Sequence, residues 1–193
     1  MRPTLVLLAG PNGAGKTTLY ETRIAPSFAA PFINADNIQR SELKTTDMNA
    51  AYEAAKMASA RRSACLQARQ SFATETVFSH PSKLAFVSEA KALGYRIMLF
   101  HISVQRPKLS VARVQARVTE GGHPVPEAKI RARFDRNGPL IRQAALQAEC
   151  AHIFDNSALN QPPERLITFT SGRVSFVKPV LPPWALDLYE GDL

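Results

Sequence analysis

Eight consecutive residues, Gly10-Pro11-Asn12-Gly13-Ala14-Gly15-Lys16-Thr17, carry the most specific chemistry in the chain. Their G-x-x-x-x-G-K-T spacing lies between an apolar run at residues 4–9 and a helix start at Thr18-Leu19, the setting in which this pattern cradles phosphate. Glycine lets the backbone take positive φ and approach an anion with no Cβ in the way. Successive N–H groups and the positive end of the following helix then face the charge. Lys16 reaches β- and γ-phosphates, Thr18 lies against them with the loop, and the Thr17 hydroxyl is the expected Mg²⁺ ligand. An ordinary glycine turn would leave Lys16 and Thr17 without a reason. The loop predicts binding of a nucleoside triphosphate.

Other residues are of the types a phosphoryl-transfer site needs. Asp36, next to Asn34-Ala35, falls just past a short strand that the sequence puts one strand over from the loop. A carboxylate there can take the proton of a substrate hydroxyl during γ-phosphoryl transfer. It can equally cap the helix starting at Asn37, and spacing leaves both readings open. Glu75 and Thr76 end a further strand, with Ser79 after them; they either hydrogen-bond substrate hydroxyls or are solvated strand-end groups. Arg113 and Arg117, four apart, share a helix face separate from the Val111, Val114, Val118 stripe. A break at Gly121-Gly122 follows, then a second basic helix with Arg131 and Arg133. Glycine hinges flanked by arginine helices have the form of a lid, and guanidinium groups grip phosphate oxygens multidentately. Some of these arginines are solvated charges; Arg117 and Arg133 are the primary candidates. Asn156 falls after a later strand, on the same side as the loop. His80 reads as a turn residue and His101 as a core histidine, and the four histidines have no metal-site spacing.

Periodicity and breaker residues predict the elements that hold these groups. A helix from the loop to about Arg23 ends at Pro26; a short strand follows at residues 31–34. Thr45-Thr46-Asp47 caps an alanine-rich helix over about 48–67. Residues 71–77 alternate as a strand, and Ser79-His80-Pro81 opens a helix ending near Gly94. The apolar run at 95–102 has the pattern of a strand buried on both faces. Pro107 starts a helix to about Thr119; another runs to Asn137-Gly138-Pro139, and a separate one to about Glu149. A fifth strand at 152–154 ends in Asp155-Asn156-Ser157. Residues 158–166 read as a loop, 167–178 as a hairpin about Ser171-Gly172, and the rest as a proline-rich tail with Trp184 and Tyr189. Alternating strands and helices predict an α/β fold, a parallel sheet with helices on both faces and ligands at the carboxyl ends of its strands.

With 193 residues, 45% hydrophobic and 21% charged, the composition is that of a soluble globular domain. No apolar run is long enough to cross a membrane and residues 4–9 are too short for a secretion leader, so a cytoplasmic protein is expected. Cys65 and Cys150 are too few for a disulfide framework and are expected to be buried thiols. Of the net charge of +8, residues 96–142 carry +7, from ten basic and three acidic side chains. Such a segment grips either nucleic acid or the substrates of a phosphoryl-transfer enzyme. Its arginines are interleaved with helix-spaced apolar residues, and Phe134 is the only aromatic between Lys108 and Arg142. Nucleic acid therefore fits less well, because base-stacking aromatics are missing. Neither the strand at 71–77 nor the one at 95–102 ends in the Asp that usually closes a second nucleotide motif, which favours small-molecule phosphoryl transfer over motor ATPases.

Taken in order, the phosphate loop, Asn34-Ala35-Asp36, Phe72-Ala73-Thr74-Glu75-Thr76 with Ser79, Arg113-Val114-x-x-Arg117-Val118, Gly121-Gly122-His123-x-Val125-Pro126, Arg133-Phe134 and Asp155-Asn156-Ser157 resemble the zeta toxin family, in its short single-domain form. The resemblance covers residues 4–157. It implies a P-loop kinase fold that uses ATP and Mg²⁺ to phosphorylate the 3′-hydroxyl of the amino sugar in UDP-N-acetylglucosamine. In that pattern Lys16 holds phosphates, Asp36 is the base, Glu75 and Thr76 bind substrate, and Arg117 and Arg133 steady the transferred group. A small helical antitoxin that blocks the ATP site is the implied partner. The expected organisation is a kinase domain over 1–157 with a lid at about 106–138, and an extension over 158–193 packed on it. A kinase of another small metabolite and a nucleic-acid-binding NTPase are the alternatives, and a catalytically dead binding module would leave Asp36 unexplained.

Overall fold

The computed structural model describes residues 2–45, 47–119, 122 and 124–193. Of the residues singled out in the sequence, Thr46, Gly121 and His123 lie outside the described residues. Seven strands form one sheet: β1 (Thr4–Ala9), β2 (Phe32–Ile33), β3 (Phe72–Thr76), β4 (Arg96–Ser103), β5 (Cys150–Asp155), β6 (Glu164–Thr170) and β7 (Arg173–Val177). Their order is β2-β3-β1-β4-β5-β6-β7, with the first five parallel, β6 antiparallel to β5 and β7 antiparallel to β6. β1 is central because both of its faces are apolar. Leu5, Leu7 and Ala9 enter one core cluster, and Val6 and Leu8 enter another on the opposite face.

Helix α1 (Lys16–Leu19) continues as a π-turn over Tyr20–Ile24 and a 3₁₀ turn over Ala25–Ser27, reaching Pro26 as expected. α2 (Ala35–Ile38) is also extended by a π-turn; α3 (Met48–Gln67), α4 (Ser82–Ala92), α5 (Pro107–Thr119), α6 (Glu127–Gln147) and α7 (Pro183–Tyr189) complete the set. Asp47 Oδ1 caps α3 by accepting the Ala50 N–H at 2.7 Å. The hairpin turns at Ser171-Gly172, where both residues have positive φ.

Four expectations change. β3 lies between β1 and β2, so Asp36 follows a strand two places from the phosphate loop, and Glu75 follows the adjacent one. The expected break at Gly138-Pro139 is absent: α6 runs through it as one helix. An interior proline costs about 3 kcal/mol. Here Ile130, Asn137, Ile141 and Ala144 keep one buried stripe in phase across Pro139, and their packing holds the helix together. β6 starts at Glu164, inside the segment read as a loop, because it pairs with β5 as far as Asp155. Cys65 and Cys150 are free and only half-buried.

The tail folds back onto the sheet. Ala185 and Tyr189 of α7 are fully buried, the Tyr189 hydroxyl hydrogen-bonds His101 Nδ1 at 2.8 Å, and Arg142 of α6 forks onto Asp192. His101 is thus a satisfied core histidine. No helix among the described residues is long and apolar enough to cross a membrane.

Candidate active site

The carboxyl ends of β1, β2, β3 and β5 open on one side of the sheet, and the candidate residues gather there because register sets them side by side. Ala9 pairs with Thr76 and Leu8 with Glu75, so the end of β3 lies against the start of the phosphate loop; Gly10 N–H donates to Thr76 O at 3.3 Å. Gly10 is required by this approach, since a Cβ there would lie 1.9 Å from the Ile102 carbonyl oxygen. Gly15 has φ of 88°, and a Cβ on it would lie 2.5 Å from Asn156 Nδ2. The N–H groups of Gly15, Lys16 and Thr17 find no acceptor among the described residues. Together with the start of α1 they form a ring of donors able to take an anion. Gly10, Pro11 and Ala14 are buried beneath the loop and shape it, whereas Asn12, Gly13, Gly15, Lys16, Thr17 and Thr18 line the cleft.

Lys16 is buried, its ammonium donating to the carbonyl oxygens of Gly10 (3.1 Å) and Pro11 (2.9 Å). Burial pushes its pKa down, opposed by the Glu75 and Asp36 carboxylates. Glu75 is its counterpart: burial raises its pKa, while the Lys16 charge and the hydrogen bond from Thr17 hold it down. Thr17 Oγ1 donates to Glu75 Oε2 at 2.7 Å. Oppositely charged groups thus sit beside the phosphate loop, each made costly to charge by burial and each stabilised by the other. The Thr17–Glu75 pair offers hard oxygen atoms of the kind Mg²⁺ prefers. The described residues contain no cluster of three or more His, Cys, Asp or Glu side chains, so a metal here would need oxygens from its ligand as well.

Asp36 had two readings, and the cap belongs to its neighbour. Asn34 Oδ1 accepts the N–H groups of Asp36 (2.7 Å) and Asn37 (3.3 Å), capping α2. Asn34 is buried by that role although it lines the cleft, and its oxygen is already engaged. The Asp36 carboxylate is left free to project into the cleft, where its closest charged partner is Arg117, 3.6 Å away. Both side chains are about half exposed.

A cleft of about 870 Å³ joins these groups. Asp36, Glu75, Thr76, Arg113, Arg117, Arg133 and Asn156 all line it. Arg113 Nη1 donates to the Asn156 carbonyl, and Asn156 Nδ2 to the Ala14 carbonyl, each at 2.8 Å. Burial, with nearby Arg136, lowers the Arg133 pKa from its ordinary high value. Ser79 does not line the cleft: Val77 still does, and the chain turns away at Phe78, which is buried at positive φ. Arg131 points elsewhere too and pairs with Glu127 at 2.8 Å. His80 accepts the Ser82 N–H at the start of α4, the turn role expected of it. Sequence reasoning missed Tyr52 on α3, with Ala51 and Ala55 beside it, and Lys129 on α6. The small residues four apart on α3 were the available signal. Two anionic or hydroxylated ligands fit such a cleft, one at the loop and one toward α3, with a free carboxylate and arginines between them.

Known proteins match the chain in family and in fold. The family model for zeta toxin matches residues 1–160. A protein of Haemophilus influenzae, described as uncharacterized, is 25% identical over 134 residues, 69% of this chain and 94% of its own length. Among solved structures, the AvrRxo1-ORF1:AvrRxo1-ORF2 complex superposes with a TM-score of 0.71 at 20% identity, covering 99% of this chain and 63% of that one. This chain therefore spans less than two thirds of that chain's length. A further structure of that complex holds ATP, with a TM-score of 0.68 at 18% identity. The PezAT chromosomal toxin–antitoxin system of Streptococcus pneumoniae superposes at 0.59 with 14% identity, over all of this chain and 80% of that one. At these identities the structural likeness is one of fold.

Proposed function

The chain belongs to the zeta toxin family, and from that premise we propose that it is an ATP-dependent kinase that phosphorylates a sugar hydroxyl of a nucleotide-sugar, UDP-N-acetylglucosamine first among them. The observation that carries this reading is the Asp36 carboxylate. Asn34 relieves it of the capping role, and it stands free in the cleft beside Arg117, across from the phosphate loop.

The chain's residues divide the work as follows. The loop N–H groups and Lys16 hold the β- and γ-phosphates of ATP; Thr18, Arg113 and Asn156 line the nucleotide's side of the cleft. Thr17, with Glu75 hydrogen-bonded to it, would hold Mg²⁺, which supplies charge neutralisation on the phosphates when bound. Asp36 accepts the proton of the acceptor hydroxyl as that oxygen attacks the γ-phosphorus and ADP leaves. Arg117 and Arg133 stabilise the charge that spreads over the transferred oxygens. Thr76 and Glu75 face the acceptor, and Asn34 contributes its amide. The α5–α6 arm closes over both substrates as a lid, which accounts for its concentration of arginines. A small antitoxin covering the nucleotide site is the partner this reading implies, and a cytoplasmic location follows from such substrates.

Mass spectrometry of the products from Mg-ATP plus UDP-N-acetylglucosamine tests the reading. A sugar nucleotide heavier by one phosphate supports it. Slow ATP hydrolysis with an unmodified sugar nucleotide would refute the acceptor and favour a kinase of another metabolite, to be sought by the same mass shift in a metabolite extract. Turnover stimulated by DNA or RNA would refute both.

A further inference from the structure

The family match ends at residue 160, yet the segment beyond it reaches the candidate nucleotide site through one side chain. Trp184 on α7, the only tryptophan, donates its Nε1–H to Asp155 Oδ1 at 2.8 Å. Asp155 is the last residue of β5 and anchors the turn that follows. Its Oδ1 also accepts the Ser157 hydroxyl at 2.7 Å, and its Oδ2 accepts the Ser157 N–H at 3.1 Å, a side-chain-to-backbone turn across Asn156. Ser157 Oγ in turn accepts the Gln105 N–H at 2.8 Å. Asn156 sits in the middle of this turn. Its N–H is held by Ser103 O, its carbonyl takes Arg113, and its amide reaches the Ala14 carbonyl within the phosphate loop. The gap is tight on the loop side as well, since Gly15 leaves no room for a Cβ beneath the Asn156 amide.

We propose that Trp184 is a positioning residue for the nucleotide: through Asp155 it fixes the Asp155-Asn156-Ser157 turn, and through Asn156 it sets the phosphate loop. The inference rests on the reading that this loop binds ATP. The physical reason is geometric. Strand pairing fixes the Asp155 backbone but not its side chain; the carboxylate that ties the turn together by two local bonds is fixed from outside by the indole, on a helix whose neighbours Ala185 and Tyr189 are fully buried. The tail thereby becomes part of the site. A second hydrogen bond of the tail, Tyr189 to His101, is buried and docks the same helix without touching the turn, and so provides an internal control.

The test is Mg-ATP affinity, measured by calorimetry on the full chain, for Trp184→Phe, Asn156→Ala, their double variant and Tyr189→Phe, with a thermal melt of each. Phenylalanine keeps an aromatic ring against His101 while removing the donor and part of the ring volume, and the thermal melt reads the packing lost with that volume. The expected outcome is a Kd raised about three- to tenfold in Trp184→Phe, the size of effect when one hydrogen bond to a charged group is partly expressed in binding. No further rise should appear when Asn156→Ala is already present, and Tyr189→Phe should bind as the parent does even where it melts earlier. Parental affinity in Trp184→Phe, additive losses in the double variant, or an equal loss in Tyr189→Phe would each overturn the proposal. A parent chain that does not bind Mg-ATP would instead overturn the nucleotide reading on which it rests.

Discussion

Replacing Asp36 with Asn separates catalysis from folding more cleanly than any other single change in the cleft. The substitution keeps size and shape and removes the ability to accept a proton at pH 7. Its cost to stability can be worked from the surroundings. The cap of α2 is made by Asn34, so the helix keeps the contribution of about 1 kcal/mol that a cap makes. The one ion pair lost, to Arg117, is 3.6 Å long between side chains 58% and 44% exposed. A solvated pair of that kind contributes at most about 1 kcal/mol, and screening by salt reduces it further. Loss of a general base, by contrast, lowers turnover by about 10²- to 10⁴-fold, or roughly 3–5 kcal/mol in the barrier. The variant should therefore melt within about 3 °C of the parent and bind Mg-ATP normally while kcat collapses. Initial rates of ADP release at saturating acceptor, with a melt of each protein, make the measurement. A kcat within threefold of the parent would refute the role of Asp36. A melt lowered in proportion to the rate would show that the residue is structural after all.

Two further outcomes follow from the same geometry. Gly15→Ala should lose roughly 1–2 kcal/mol of stability to the left-handed φ and, because the new methyl displaces the Asn156 amide, Mg-ATP affinity by at least about tenfold; parental affinity in a titration would contradict the close approach of loop and turn. His101 should make the fold acid-sensitive. Burial depresses its pKa to about 3, below the unfolded value near 6.5, so the folded state binds fewer protons than the unfolded one. The associated stability is complete above pH 6.5 and lost as pH falls toward 3, an effect on the order of 4 kcal/mol. Urea midpoints of the parent and of His101→Phe/Tyr189→Phe over that range should show the double variant with the shallower decline, and parallel curves would refute the assignment.

How much of this was legible in the sequence depended on whether the determinant was local. The phosphate loop declares itself through glycines, Lys16 and Thr17 within eight residues, because anion binding there uses backbone conformation and one helix start. The five parallel strands, α3 with its Asp47 cap, the Ser171-Gly172 turn and the satisfied His101 follow from periodicity and composition, whereas the P-loop kinase fold was implied by the resemblance to the zeta toxin family. What needed the tertiary structure was everything set by which strands are neighbours and which group reaches a partner first. Sheet order put Glu75 beside Thr17 and moved Asp36 two strands away. The choice between Asn34 and Asp36 as cap turned on two hydrogen bonds that either residue type can make. The stripe packed along α6 carried the helix through Pro139 against a local propensity that says stop. Ser79 turned out of the cleft at a single positive-φ residue, Phe78. The docking of the tail, which no local pattern indicates, is set by long-range partners: Trp184 on Asp155, 29 positions away, Tyr189 on His101 and Asp192 on Arg142. Local chemistry is written in the order of residues, whereas long-range partners are selected by packing, and packing exists only when the chain has closed on itself.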